Sequence, residues 1–184
     1  NDDATNHVMI SSTGSTGTNA CSYFTDPLYG SGHITAAYES ADGAVHLTAQ
    51  GSPYIVNCVL TDEANVPLVI EPGTVLEFGT NETLSINSTA TVGSATDGRR
   101  VTFESITRGG GSNPHPGDWG GVLLIDPSNN STFTNARFTD AGSSNGTTTA
   151  LEVRNSGSIN IDHSTFTRNK QDNACRHKPG DVQV

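Results

Sequence analysis

The 184-residue sequence is poor in charge, in aromatic rings and in basic residues. Only 15% of it is Asp, Glu, Lys or Arg and only 6% is Phe, Trp or Tyr, with one Trp and one Met. Nine Lys and Arg against nineteen Asp and Glu leave a net charge of −10. No basic patch is available to follow a phosphate backbone, so nucleic-acid binding is not expected. An acidic surface suits solubility, a saline medium or divalent cations. No apolar run is long enough to cross a bilayer as a helix, so no membrane span is expected. The chain does not open on Met and shows no signal peptide, which reads as a processed or trimmed start with an export address already removed.

Signatures of chemistry are equally sparse. There is no Gly-x-Ser-x-Gly and no recognisable Cys/His arrangement for nucleophilic catalysis. The six His (His7, His33, His46, His115, His163 and His177) form no pair at metal-ligand spacing, so no metal site is expected. No Asp-x-Asp-x-Asp-Gly loop and no Gly-Gly-x-Gly-x-Asp repeat is present. The acidic pairs Asp2-Asp3 and Asp62-Glu63 leave room only for adventitious calcium, and no cofactor is expected. The three Cys (Cys21, Cys58 and Cys175) fit neither a zinc nor a CxxC spacing. In an exported protein a Cys21–Cys58 bridge is expected, leaving Cys175 free or paired with another chain.

What is present is a repeat. Gly, Ser, Thr and Asn are abundant and hydrophobic residues make up 33%, a composition that favours strands and turns over helices. The stretch 122–141 overlays 150–169 without a gap: Leu123 falls on Leu151, Ile125 on Val153, Ser128 on Ser156, Phe133 on Ile161, Phe138 on Phe166 and Thr139 on Thr167. The apolar positions recur in short alternating runs, not at helical spacing. A coil that cannot bury its own apolar face must stack on the next, so the expected fold is all-β, a parallel β-helix.

Taken in order, residues 1–20 form an arm. Its one apolar run, Val8-Met9-Ile10, is either a loose terminus or a strand added to an edge in this chain or a neighbour. Residues 21–52 carry three of the four Tyr and lack the later repeat; they are expected to cap the N-terminal end, with a short helix at Ile34–Ser40. Residues 53–170 are the stacked coils, with short strands each ended by Gly, Asn, Pro or Asp. Residues 171–184 abandon the pattern, and Arg176, His177 and Lys178 make a small basic cluster. The tail is short and polar, so the last coil is expected to stay open at its edge.

Within the coils, Leu68-Val-Ile-Glu-Pro-Gly-Thr-Val-Leu-Glu-Phe-Gly79, then Leu84-Ser-Ile-Asn87, Arg100-Val-Thr-Phe-Glu-Ser105 and Pro116-Gly-Asp-Trp-Gly-Gly-Val122 follow one another. This series resembles right-handed parallel β-helix repeat proteins of bacterial and archaeal surfaces, over about residues 53–170. The resemblance implies a right-handed coil and export to the cell surface or medium. Pectate lyases and polygalacturonases use the same fold, which keeps a carbohydrate-active alternative open.

Two places carry candidate ligand-binding residues. Residues 107–118 form a Gly- and Pro-rich turn region holding His115 and Asp118, followed at once by Trp119. Trp119 is either a sugar-stacking platform or a ring packed over the rim of a coil. Asp162 and His163, near Arg137 and Arg168, are the second place. A glycosidase needs paired carboxylates, and no adjacent carboxylate cluster is visible in the sequence. Asp140 over Arg168 is expected to be a surface ion pair worth little. The Thr residues 132, 134, 139, 165 and 167 raise ice binding as a minor option, interrupted by charged residues. Sequons at Asn81, Asn87, Asn129, Asn130 and Asn145 matter only where the host glycosylates exported proteins.

The function expected from these readings is an extracellular or cell-surface structural module, a filament subunit joined head to tail through Val8, Met9, Ile10 and Cys175. The alternative is a carbohydrate-binding or polysaccharide-cleaving protein.

Overall fold

The computed structural model describes residues 18–28, 30–109, 113–125, 131–143, 149–154 and 159–170, and the backbone of 175–177. The arm strand expected at Val8, Met9 and Ile10 lies outside the described residues. In chain order the strands are β1 (Thr18–Asn19), β2 (Thr25–Asp26), β3 (Gly30–Ser31), β4 (His33–Ile34), β5 (Val45–Leu47) and β6 (Tyr54–Val56). Next come β7 (Leu60–Asp62), β8 (Leu68–Ile70), β9 (Val75–Phe78), β10 (Thr83–Ile86), β11 (Ala90–Val92) and β12 (Val101–Ser105). The last seven are β13 (Gly121–Ile125), β14 (Ser131–Thr134), β15 (Ala136–Thr139), β16 (Leu151–Arg154), β17 (Ile159–Asp162), β18 (Thr165–Thr167) and β19 (Cys175–His177). Two one-turn helices, α1 (Ala20–Tyr23) and α2 (Ile106–Gly109), interrupt them.

Apart from the β2–β3 hairpin, these strands build three parallel sheets. The first is β1-β6-β9-β12-β15-β18, the second β4-β7-β10-β13-β16-β19 and the third β5-β8-β11-β14-β17. From β4 onward the chain visits the second, third and first sheets in turn, then moves one strand along each; one such round is called a layer below.

Alternation along each strand sends one set of side chains between the sheets. In the first sheet the in-register column is Tyr54, Leu76, Phe103, Phe138, Phe166. Its rings stack nearly parallel, Phe103 on Phe138 at 4.6 Å and Phe138 on Phe166 at 4.8 Å. Those separations match the spacing of hydrogen-bonded strands, so the backbone ladder sets the ring stack. In the third sheet Leu47, Ile70, Val92, Phe133 and Ile161 align in the same way. Each fully buried member contributes about 1.5–3 kcal/mol of burial.

The repeat is not gapless. Phe133 pairs with Ile161 and Phe138 with Phe166 as expected, but Val122, not Leu123, pairs with Leu151, and Leu124, not Ile125, with Val153. Val122, Leu124, Leu151 and Val153 are the fully buried set. A one-residue slip exchanges inward and outward faces, so burial fixes the register that residue identity missed. The segment 126–130 is one residue longer than its counterpart 155–158 and absorbs the shift.

Layering begins earlier than residue 53: β4 pairs with β7 and β5 with β8, so part of the segment expected as cap, 21–52, is itself stacked. The piece that covers the first layer is 18–31, where β1 and α1 lie against β6 and the hairpin β2–β3 follows. The expected helix at Ile34–Ser40 is a single 3-10 turn, Ala36–Tyr38, opened by the Thr35 hydroxyl accepting from Ala37 N–H. The expected Cys21–Cys58 disulfide is present and ties α1 to the turn between β6 and β7. The segment 171–184 does not leave the pattern entirely, since β19 adds a strand beside β16.

Candidate functional site

The turn region that drew attention in the sequence is largely committed to the fold. Trp119 is fully buried, its indole N–H donates to Thr139 O at 2.8 Å, and its ring stacks on Phe78 at 4.2 Å. It is therefore packed over the coil and offers no sugar platform. The cause is visible in the register: Phe78 pairs with Ser105, a small side chain, and Trp119 covers the ring that Ser105 leaves uncovered. The backbone at Gly120 runs so close to the previous layer that a Cβ there would sit 2.9 Å from Glu82 O and against Thr83 Cγ2. Asp118 clasps the turn, accepting from His115 N–H at 2.9 Å and from the Thr107 hydroxyl at 3.1 Å. His115 is exposed beside it.

Below this turn lies Asp140, fully buried and held by arginines. Its Oδ2 accepts from Arg108 Nη2 at 2.7 Å and from the Thr139 hydroxyl at 3.1 Å. Arg168 Nε lies 3.1 Å from Oδ1 without hydrogen-bond alignment, an electrostatic contact, and its Nη2 donates to Pro114 O. The Asp140 C=O also serves the turn, since Gly117 N–H and Asp118 N–H both donate to it at 3.0 Å. The pair is thus not the surface ion pair expected from spacing. Asp140 and Arg168 occupy the same corner in successive layers, with φ of +65° and +56°. Asn135 and His163 share a second such corner. Left-handed conformations favour Gly, Asn, Asp and His, so Asp140, Asn135 and His163 suit these corners and only at Arg168 does packing override residue preference. His163 is correspondingly a turn residue on the outside, 2.7 Å from Asp162. Asp162 ends β17 in the third sheet, whereas His115 and Asp118 lie between the first and second sheets; the two candidate groups do not form one site.

A carboxylate pair does exist, on the outer face of the first sheet. Glu77 and Glu104 are opposite one another on β9 and β12. Adjacent strands put their Cα atoms about 4.8 Å apart. Burial pushes both carboxyls above the usual range, with the charge of Glu104 adding to the rise at Glu77. Arg108 Nε stands 3.5 Å from Glu104 Oε2 and, with Arg137, opposes the rise there. The sequence hid this pair because 27 residue positions separate its members; only the register brings them together. The Thr residues, in contrast, are dispersed: Thr132 and Thr134 belong to the third sheet, Thr165 and Thr167 to the first, and Thr139 is buried, so no single Thr face for ice is built.

A second buried acid, Asp62, interrupts an apolar column. It pairs with Ile34 and follows the Thr61–Ser85 pair, which places it in line with Ile86. Its carboxylate accepts from Asn87 N–H and the Ser88 hydroxyl, pinning the corner between the second and third sheets. Burial pushes its pKa up to about 6, against the lowering effect of those donors. Among the described residues no group of three His, Cys, Asp or Glu is placed to hold a metal ion.

The chain matches no protein-family model, no curated protein and no solved structure. Function must be argued from the geometry alone.

The two ends of the stack remain as candidate surfaces. At the first layer Phe24 is fully buried between Tyr23 and Tyr38, with centroids at 4.9 and 5.0 Å in edge-on contact. The Tyr38 hydroxyl donates to Tyr23 O at 2.9 Å, closing the cover. At the last layer Phe166 and Ile161 continue the internal columns but are only partly buried. No described strand pairs with the far side of β17 or β18. Among the described residues the exposed large hydrophobics are Leu28 (79%) and Val59 (53%), both near the covered end, one in the β2–β3 turn and the other beside Cys58. No helix among the described residues is long and apolar enough to cross a membrane.

Proposed function

We propose that the chain is a right-handed parallel β-helix of the surface-protein type and serves as an extracellular structural module that stacks end to end. The observation that supports this reading is that, among the described residues, no strand lies beyond β17 and β18 in the last layer. Its β17 and β18 edges and partly exposed Phe166 and Ile161 repeat, one layer on, the columns that are fully buried inside. An edge of that kind is completed by further strands. The disulfide agrees with an oxidising compartment outside the cytosol. A contact between unlike ends does not close, so it propagates into a fibre. Light scattering over a concentration series tests the reading. Mass rising with concentration toward long particles is expected; a single-chain mass throughout contradicts it.

A second reading, binding or cleavage of a polysaccharide along the outer face of the first sheet, is favoured by the Glu77–Glu104 pair. Cα atoms about 4.8 Å apart allow the two carboxyls to come within the roughly 5 Å that suits a retaining glycosidase. Incubation with acidic and neutral polysaccharides, followed by reducing-end and unsaturated-product assays, decides it. Turnover that Glu104→Gln abolishes supports cleavage, and no product from any substrate removes it.

A further inference from the structure

We propose that charge polarity along the stack selects the partner and its direction: the last layer of one copy seats on the covered end of a second copy. The proposal rests on the end-to-end reading and adds the force that orients the joint. All nine Lys and Arg fall within residues 99–178, while residues 1–98 hold eleven of the nineteen Asp and Glu and no Lys or Arg. Strand order in each parallel sheet follows chain order, so among the described residues nine of those acids, in 18–98, lie toward one end of the stack and the Lys and Arg from Arg99 onward lie toward the other. The covered end presents part-exposed Glu39 and exposed Asp42, with the apolar Leu28 and Val59 nearby. The open end presents exposed Lys170, Arg168 whose Nε faces buried Asp140, and part-exposed Asp162, and the backbone of β19 places Arg176 one strand further on.

The apolar content of each end supplies attraction without direction. Charge supplies direction: two covered ends meet acid to acid, whereas an open end meets a covered end base to acid. The net charge of −10 opposes any association. Which effect wins depends on screening. Layers about 4.8 Å apart make the stack longer than ~20 Å. At about 0.1 M salt the Debye length is about 10 Å, so the facing ends dominate; at about 0.01 M it is about 30 Å and whole-molecule repulsion enters; at about 1 M it is about 3 Å and the end charges are screened. Association is therefore strongest at the intermediate salt.

The test uses the full chain and two charge-reversed variants, with particle mass followed by light scattering and folding checked by circular dichroism. Lys170→Glu with Arg176→Glu makes the open end acidic. Glu39→Lys with Asp42→Lys makes the covered end basic. The natural chain should associate most strongly near 0.1 M salt and about tenfold more weakly near 1 M. Each variant alone should fail to assemble, and an equal mixture of the two should recover assembly, because each variant's open end then meets a covered end of opposite charge. Assembly that ignores both salt and reversal leaves the end-to-end reading standing and overturns charge selection. So does a mixture that stays dispersed. Natural protein that is a single chain at every salt overturns both.

Discussion

The two ends of this molecule are made of the same strand ladder and finished differently. At the first layer the columns run into a cover: Phe24 is enclosed by Tyr23 and Tyr38, α1 lies on β6, and the Cys21–Cys58 bridge holds the cover down. At the last layer the columns continue into Phe166 and Ile161 and stop half-buried. A stacked fold solves burial for every layer but its outermost two, so those two layers carry the information about how the molecule is terminated or extended. The first is closed by its own chain. Among the described residues, no strand covers the far side of β17 and β18 in the last.

The contrast can be broken most forcefully in the aromatic column. Phe138→Ala removes a ring stacked on both faces and is expected to lower stability by about 4 kcal/mol, whereas Phe166→Ala, stacked on one face, should lower it by about 1–2 kcal/mol. Urea unfolding midpoints measure both; equal losses would mean that the last layer is as enclosed as the interior. Opening the cover comes next. Replacing Cys21 and Cys58 by Ser removes a link spanning 37 residues, for an expected loss of about 3 kcal/mol, and hydrogen exchange should rise first in residues 18–31. Exchange rising equally across all layers would show that the bridge supports more than the covered end.

Two of the buried acids, Asp62 and Asp140, sharpen the picture by smaller amounts. Asp62, surrounded by neutral donors, has its pKa raised to about 6 in the folded state, above about 4 when unfolded. Folding thus favours its protonated form. Its burial penalty is present in full above pH ~6, shrinks as pH falls, and is absent below pH ~4, a span of about 2–3 kcal/mol. Asp62→Asn keeps an acceptor for Asn87 N–H and should flatten stability over this window; a profile unchanged by the substitution would assign the dependence to another group. Asp140, by contrast, faces Arg108 and Arg168. Asp140→Asn should lower stability by about 2 kcal/mol, since both partners are partly exposed and recover water. Proteolysis near Pro116 should accelerate, and an unchanged rate would show that Asp140 does not hold the turn.

Strand content and parallel stacking were legible because Val, Ile, Leu and Phe alternate in short runs between Gly, Asn and Pro. The disulfide was legible because Cys in an exported chain outside any metal spacing are expected to pair, with Cys175 left over. The register between β13 and β16 was not, because aligning Leu with Leu ignores an extra residue in a connecting segment that has no apolar mark of its own. The phrase Pro116-Gly-Asp-Trp-Gly-Gly121 read as a binding loop because Trp, His and Asp coincide there. Its residues are consumed by a buried ring, a clasped turn and a close backbone approach. The Glu77–Glu104 pair depends on layer length, which no local pattern prints. The charge polarity was in the sequence all along; it acquires meaning only when chain order becomes position along an axis.

Cryo-electron microscopy of the full chain at about 0.1 M salt, the screening at which facing ends dominate, tests the central claim most directly. The account predicts fibres one molecule wide, strands perpendicular to the axis with a repeat of about 4.8 Å, and each joint formed by the β17–β18 edge of one copy against the covered end of the next. Single particles, or fibres joined side by side through the outer faces of the sheets, would contradict it.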